Sequence, residues 1–191
     1  MLICFEGVDG AGKTTISKLV ADELLGLYCR TPGQGKLGEK MRQILLDKEE
    51  HLHCEAVPFL FLADMIHCLG QIKVLNNNHL IIMDRWKMST FIYQVERDWF
   101  NNRQKVLLKQ IINEMIPNPD ILIVLDINYK RYTANDRYEL EEEEWGKRRQ
   151  LYRKYFIRFK GKKLMLDVTN MDIKEVFTTC IEFLRKHPYF R

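Results

Sequence analysis

The chain has no C-x-x-C pair, no tract rich in proline, glycine and serine, no long arm of one charge sign, and no unbroken apolar run of the roughly 18 residues that a membrane span needs. Each absence excludes something. Without paired cysteine spacing, zinc ribbons and thiol redox motifs drop out. The five cysteines, Cys4, Cys29, Cys54, Cys68 and Cys180, are an odd number, as expected of reduced thiols in a cytoplasmic setting. With 30 basic residues against 26 acidic ones, the net charge is only +4, so nucleic acid is not an expected partner. The apolar start from Met1 to Phe5 is too short for a signal peptide and carries no basic leader. A soluble protein without membrane association is the expectation.

What is present is a long series of short apolar runs alternating with helical patterns. At 191 residues and 46% hydrophobic content, the chain can bury a core of its own, and nothing in its composition divides residues 1–191 into more than one domain. Strands are predicted at Leu2 to Glu6, Leu27 to Arg30, His79 to Asp84, Ile121 to Asp126 and Lys163 to Asp167. Helices are predicted near 13–25, 36–47, 54–75, 88–98, 102–116, 142–159 and 172–186. This alternation predicts a three-layer α/β fold, a five-stranded parallel sheet with helices on both faces. Ligands of such sheets gather at the C-terminal ends of the strands, which here directs attention to 6–14, 30–36, 84–86 and 126–139.

The first of these segments carries the strongest motif. Gly7-Val8-Asp9-Gly10-Ala11-Gly12-Lys13-Thr14 fits G-x-x-x-x-G-K-[ST], follows a predicted strand and opens a predicted helix, the setting a P-loop requires. Its backbone N–H groups, from Gly7 through Gly10, Ala11 and Gly12 to Thr14 and Thr15, would cradle the phosphates of ATP. Lys13 would bridge the β- and γ-phosphates, and the Thr14 hydroxyl would meet Mg²⁺. Asp9 is unusual there, because a carboxylate beside a triphosphate is costly unless it has another task, such as accepting a sugar hydroxyl. A solvated turn residue is the other reading of Asp9.

At the third strand end, Asp84-Arg85-Trp86 continues to Ser89, Tyr93 and Gln94, and here the sequence resembles the thymidylate kinase family. The pattern D-R-[YH]-x-x-S-x-x-A-Y-Q is met with Trp86 for Tyr and Ile92 for Ala. The likeness extends through Glu6 to Thr14, a Pro-Gly turn leading to Leu37-Gly38-Glu39-Lys40-Met41-Arg42, Phe61-Leu62-Ala63-Asp64, Asp136-Arg137-Tyr138-Glu139 and Leu166-Asp167. It implies phosphoryl transfer from ATP to a deoxynucleoside monophosphate, with dTMP as leading acceptor, in a homodimer with Mg²⁺ as cofactor. Arg85 would grip the acceptor phosphate and Asp84 would hold the metal. Asp9 would accept the 3'-hydroxyl, Tyr93 would fill the space of a 2'-hydroxyl, Phe61 would stack on the base, and Ser89 and Gln94 would complete the acceptor site. A lid at about 128–144 would bring Arg137 to the transferring phosphoryl group and Arg131 to the adenine or phosphates, since Gly10 leaves the P-loop without an arginine.

Several alternatives stay open on the residues alone. Phe61, Met65, Cys68 and Ile72 recur at helical spacing and could be a core stripe. Tyr93 could be buried without touching a ligand, and Asp84 with Arg85 could be a structural ion pair. Glu143 with Lys147 and Glu144 with Arg148 are i, i+4 pairs assigned to helix support. The chain also departs from the family where an arginine is usual after the Ala-Asp pair. Met65 stands there and is expected at the base edge, where it cannot donate a hydrogen bond. Thr31 replaces an acidic residue, and the lid is short and lacks glycine between 131 and 136. A kinase of altered or broad base preference (dUMP, a modified pyrimidine or a purine deoxynucleotide) and a catalytically silent nucleotide-binding module are the rival functions.

Overall fold

The computed structural model describes residues 1–47, 52–74, 79–130 and 141–190. Five strands form one sheet in the order β2-β3-β1-β4-β5: β1 (Leu2–Glu6), β2 (Leu27–Arg30), β3 (Ile81–Asp84), β4 (Ile121–Asp126) and β5 (Lys162–Asp167). All four pairings are parallel. Burial follows position in the sheet. Central β1 and β4 are almost wholly apolar and closed to water, as parallel strands covered on both faces must be, whereas edge strand β5 is half exposed. The third strand begins at Ile81, two residues after its predicted start.

The helices are α1 (Lys13–Glu23), α2 (Gly35–Leu46), α3 (Val57–Val74), α4 (Lys87–Thr90), α5 (Asn102–Met115), α6 (Glu142–Arg158) and α7 (Ile173–Arg185). Asn101 with Gln104 and Asp172 with Glu175 form capping boxes that start α5 and α7. The helix expected at 88–98 is instead one α-helical turn followed by a π-helical turn at Phe91–Val95. That wider turn packs Phe91, Ile92 and Val95 into the core while Tyr93 and Gln94 face a cavity described below. By length and mean hydropathy, 1.4, α3 could cross a membrane. Its Leu62, Met65 and Cys68 lie in the core instead, and its buried Asp64 accepts the Gly33 N–H at 3.2 Å.

Strand order decides where ligands meet. Phe5 pairs with Asp84, so β1 and β3 end side by side, and from there the chain departs toward opposite edges of the sheet. The crevice at this switch point receives both the 7–12 loop and Arg85. The loop depends on glycine at a close approach: a Cβ on Gly7, whose φ is +140°, would lie 2.2 Å from the Leu125 carbonyl oxygen. Gly7→Ala should therefore destabilise the fold by at least about 2 kcal/mol, as strained backbone plus a backbone clash predicts. Urea unfolding of the two forms measures this, and an unchanged midpoint would mean the β1–β4 crossing is looser than described.

Candidate active site

Gly10 and Gly12, with φ of +82° and +85°, take the left-handed turns that wrap the loop, and Gly12 then serves as N-cap of α1. Lys13 is buried and donates to the Val8 carbonyl at 2.6 Å. Burial chiefly lowers its pKa, helped by Arg85, to about 8. Its ammonium is thus folded back on the loop, where a phosphate would replace one backbone oxygen as acceptor. Thr14 donates to Asp84 Oδ2 at 2.5 Å, and Tyr28 donates to the same oxygen at 3.2 Å. Asp84 Oδ1 is buried with no hydrogen-bond partner among the described residues.

Arg85 stands in the left-handed region, φ 66°, uncommon outside glycine. The turn is held on both sides: Arg85 N–H donates to the Phe5 carbonyl at 3.0 Å, and Thr31 Oγ1 donates to the Arg85 carbonyl at 2.9 Å. The next N–H, of Trp86, donates to Glu6 Oε1 at 2.9 Å. The guanidinium is aimed back across the crevice. It pairs with Asp9 Oδ1, and donates to Ser89 Oγ at 3.1 Å and Tyr152 Oη at 3.3 Å. The ion pair of Arg85 is therefore with Asp9 rather than with its neighbour Asp84.

Tyr93 completes this linkage. Its hydroxyl donates to Asp9 Oδ2 at 2.8 Å, so both Asp9 oxygens already have donors, and a sugar hydroxyl would have to share or displace one. Burial works against the charged form of Asp9, yet Arg85, Lys13, the Tyr93 hydroxyl and Arg148 together hold its pKa down to about 2. Arg148 lies 4.3 Å over the Tyr93 ring and also pairs with Glu144 at 3.1 Å. The Glu144–Arg148 pair does support α6, as does Glu143–Lys147 at 2.8 Å. Arg148 nevertheless has a second direction, toward the crevice, that spacing along one helix does not disclose.

A cavity of about 610 Å³ opens beside these groups, a size suited to a small-molecule ligand. Asp9, Arg85, Ser89, Tyr93, Gln94 and Phe61 line it, so these six sequence-predicted residues share one wall set. Phe61 is not a core residue only. Met65 is a correction: it is 1% exposed, lies outside the lining and accepts a contact from Thr90 Oγ1 at 3.7 Å. The helix turns Met65 inward with Cys68, and Thr90 occupies the wall in front of it. Arg131 and Arg137, with Asp136, Tyr138 and Glu139, lie outside the described residues. At the end of β4, Arg149 (2.7 Å) and Arg153 occupy the Asp126 carboxylate and tie α6 to β4.

Four site residues went unassigned at the sequence level. Arg42 and Gln43 reach the cavity from α2, with Arg42 donating to the Pro32 carbonyl at 3.0 Å. Arg42 ends the hexapeptide after the Pro-Gly turn, a signal that could have found it. Glu6 opens the family-like stretch Glu6 to Thr14, a signal of the same kind, whereas Tyr152 had none. Tyr152 comes from α6 to stand 2.8 Å from Ser89 Oγ, and Glu6 accepts from Trp86 N–H, Ser89 N–H (3.1 Å) and Ser89 Oγ. Burial raises the Glu6 pKa from 4.5 to about 7, against the opposing pull of Ser89 and Arg85.

That shift has a sign. Between about pH 4.5 and 7 the folded protein keeps a proton that the unfolded chain has released, so the Glu6 contribution to stability is lost as pH rises through this window, by up to roughly 3 kcal/mol. Glu6→Gln cannot titrate. Its stability relative to the parent should rise from pH 5 to pH 8 in paired urea unfolding curves, whereas a difference independent of pH would mean Glu6 ionises like an exposed carboxylate.

Comparison with known proteins agrees with this geometry. The thymidylate kinase family model matches residues 5–179. A probable thymidylate kinase of Methanococcus vannielii is 34% identical over 143 residues, covering 74% of this chain and 67% of that protein. The structure of the Ehrlichia chaffeensis thymidylate kinase superposes with a TM-score of 0.77 at 26% identity, covering 97% of this chain and 98% of the other. The Candida albicans thymidylate kinase, an enzyme of broad substrate specificity, shares the fold at a TM-score of 0.81 and 24% identity, covering 100% and 93%. A P-loop facing an arginine-lined cavity at the switch point of a 2-3-1-4-5 sheet, together with these matches, establishes that the chain belongs to the thymidylate kinase family of phosphotransferases.

Proposed function

We infer that the protein transfers the γ-phosphate of ATP to a deoxynucleoside monophosphate, with dTMP the leading acceptor. The observation that carries this is the Asp9–Arg85–Tyr93 linkage, which joins the phosphate loop directly to a cavity fit for a nucleotide. Arg85 and Arg42 would hold the acceptor phosphate, Arg85 through its bidentate fork. Phe61 would stack on the base, and Tyr93 would stand where a ribose 2'-hydroxyl would project.

The acceptor phosphate oxygen would attack the γ-phosphorus in line. No general base is needed, because a phosphate monoester is largely doubly ionised near neutral pH, its second pKa being about 6. Lys13 and Arg85 would stabilise the charge that spreads over the equatorial oxygens, with Arg137, from the segment outside the described residues, completing the set and Arg131 meeting the adenine or phosphates. The residues present suit Mg²⁺: the Thr14 hydroxyl and the Asp84 carboxylate converge, and the orphaned Asp84 Oδ1 is an oxygen ligand in want of a partner. Bound there with ATP, the cation would offset phosphate charge.

Base choice is the point where the Met65 correction matters. No arginine reads the base at that position, and the uncharged polar groups of the lining include Gln43, Gln94 and Thr90. A glutamine amide can present either its donor or its acceptor, which favours a permissive base pocket. A homodimer is the proposed assembly, since α2 and α3 pack together and leave Leu37, Ile44, Phe59 and Ile66 in water. All five cysteines are free, in keeping with a cytoplasmic location.

ADP release from MgATP with dTMP, dUMP, dCMP, dGMP and dAMP in turn tests the reaction and its base preference together. Turnover with none of them would refute it. Arg85→Lys should lower kcat/KM for the monophosphate by roughly a hundredfold or more while changing the KM for ATP by less than about threefold, since an ammonium cannot form the fork. Equal effects on both substrates would place Arg85 elsewhere. Tyr93→Ala should narrow the preference for dTMP over its ribonucleotide counterpart, and an unaltered ratio of kcat/KM would remove Tyr93 from sugar selection.

A further inference from the structure

The sheet face that carries Cys4, Glu6 and Leu122 holds a second cavity, about 630 Å³ in volume. It lies between the end of α5, the 116–120 connection and the end of α6. It equals the acceptor cavity in size, yet of the residues lining the two only Trp86 is common to both. The Trp86 indole N–H donates to the Pro117 carbonyl at 2.9 Å, which fixes the ring as a partition between them.

The chemistry of this second lining is of one kind. Half-buried Tyr155 and Phe159 supply planar apolar surface, and the core residues Phe91, stacked on Tyr155 with centroids 5.6 Å apart, and Trp86 back them. The cations are Lys87, Arg158 and Lys160. Lys87 is buried, and its Nζ donates to Asn113 Oδ1 at 3.0 Å and the Ile116 carbonyl at 3.1 Å, which leaves one of its three protons for a ligand. The single carboxylate of the lining, Glu6, commits its oxygens to Trp86 and Ser89. Rings beside three cations, with one buried carboxylate already committed to its own donors, describe a site for a planar molecule of negative charge.

We propose that this cavity is a second ligand site, separate from the acceptor cavity, that takes a small aromatic or heteroaromatic anion: the ring packs against Tyr155 and Phe159, and the carboxylate, sulfonate or phosphate meets Lys87, Arg158 and Lys160. The site lies outside the phosphate-transfer machinery.

The full-length protein titrated with 8-anilinonaphthalene-1-sulfonate tests this. Saturable binding is expected, with quenching of tryptophan emission, and it should survive saturating ATP and dTMP. Arg158 and Lys160 are exposed, so reversing them together, Arg158→Glu with Lys160→Glu, should leave the fold intact and weaken the sulfonate probe by about tenfold or more. The uncharged N-phenyl-1-naphthylamine should bind parent and double variant equally. Asn113→Trp, at the exposed mouth, should block both probes. Displacement of the sulfonate by dTMP, equal affinity in the charge-reversed protein, or unimpaired binding to Asn113→Trp would each overturn the proposal.

Discussion

The structure depends on how five buried or half-buried charges are reconciled at the C-terminal ends of β1 and β3. Lys13 and Arg85 are set against Glu6, Asp9 and Asp84 in a space from which most water is excluded. Isolated, any one of them would carry a desolvation penalty of several kcal/mol. Together they hold one another: Arg85 anchors Asp9, Thr14 and Tyr28 anchor Asp84, and Glu6 accepts from the backbone that follows Arg85. The perturbed ionisation of Glu6 and Lys13 expresses the part of that penalty the protein leaves uncompensated, and such groups concentrate where a ligand is to complete the balance.

This charge set dictates backbone shape. To aim its guanidinium across the crevice at Asp9, Arg85 takes a left-handed turn that a non-glycine residue adopts at a cost, and contacts from Phe5, Thr31 and Glu6 keep it there. The same turn delivers Trp86 to the partition between two cavities and starts the short helix that presents Ser89. The π-helical turn after it then moves Tyr93 to Asp9. One strained residue thus sets the positions of the cavity-lining groups that follow it in sequence.

Much of this was legible in the chain. All five strands lie within two residues of their predicted starts, and the central ones are the plainest, because parallel strands buried on both faces must be written as short, nearly continuous apolar runs. The P-loop was legible because its chemistry resides in the backbone and in glycine, so the residues needed are contiguous. Phe61, Arg85, Ser89, Tyr93 and Gln94 were legible for a related reason: each sits at a fixed offset from a strand end or along one helix.

Met65, Arg148, Tyr152 and Glu6 mark the limit. Whether a helical residue faces a cavity or the core turns on a rotation of a few tens of degrees and on what stands in front of it. Met65 shares its helical face with Phe61, yet Thr90, which arrives from another element, covers it. Arg148 reads as half of an i, i+4 pair until Tyr93 is placed beneath its guanidinium, and Tyr152 reads as core until Ser89 and Arg85 reach its hydroxyl. The sequence by itself determined the sheet, the phosphate loop and the helical stretch after β3, since these follow from local periodicity and from contiguous residues. Only the tertiary structure decided which charges meet and which side chains the cavity admits, since those pairs join residues 60 to 80 positions apart that no local pattern relates.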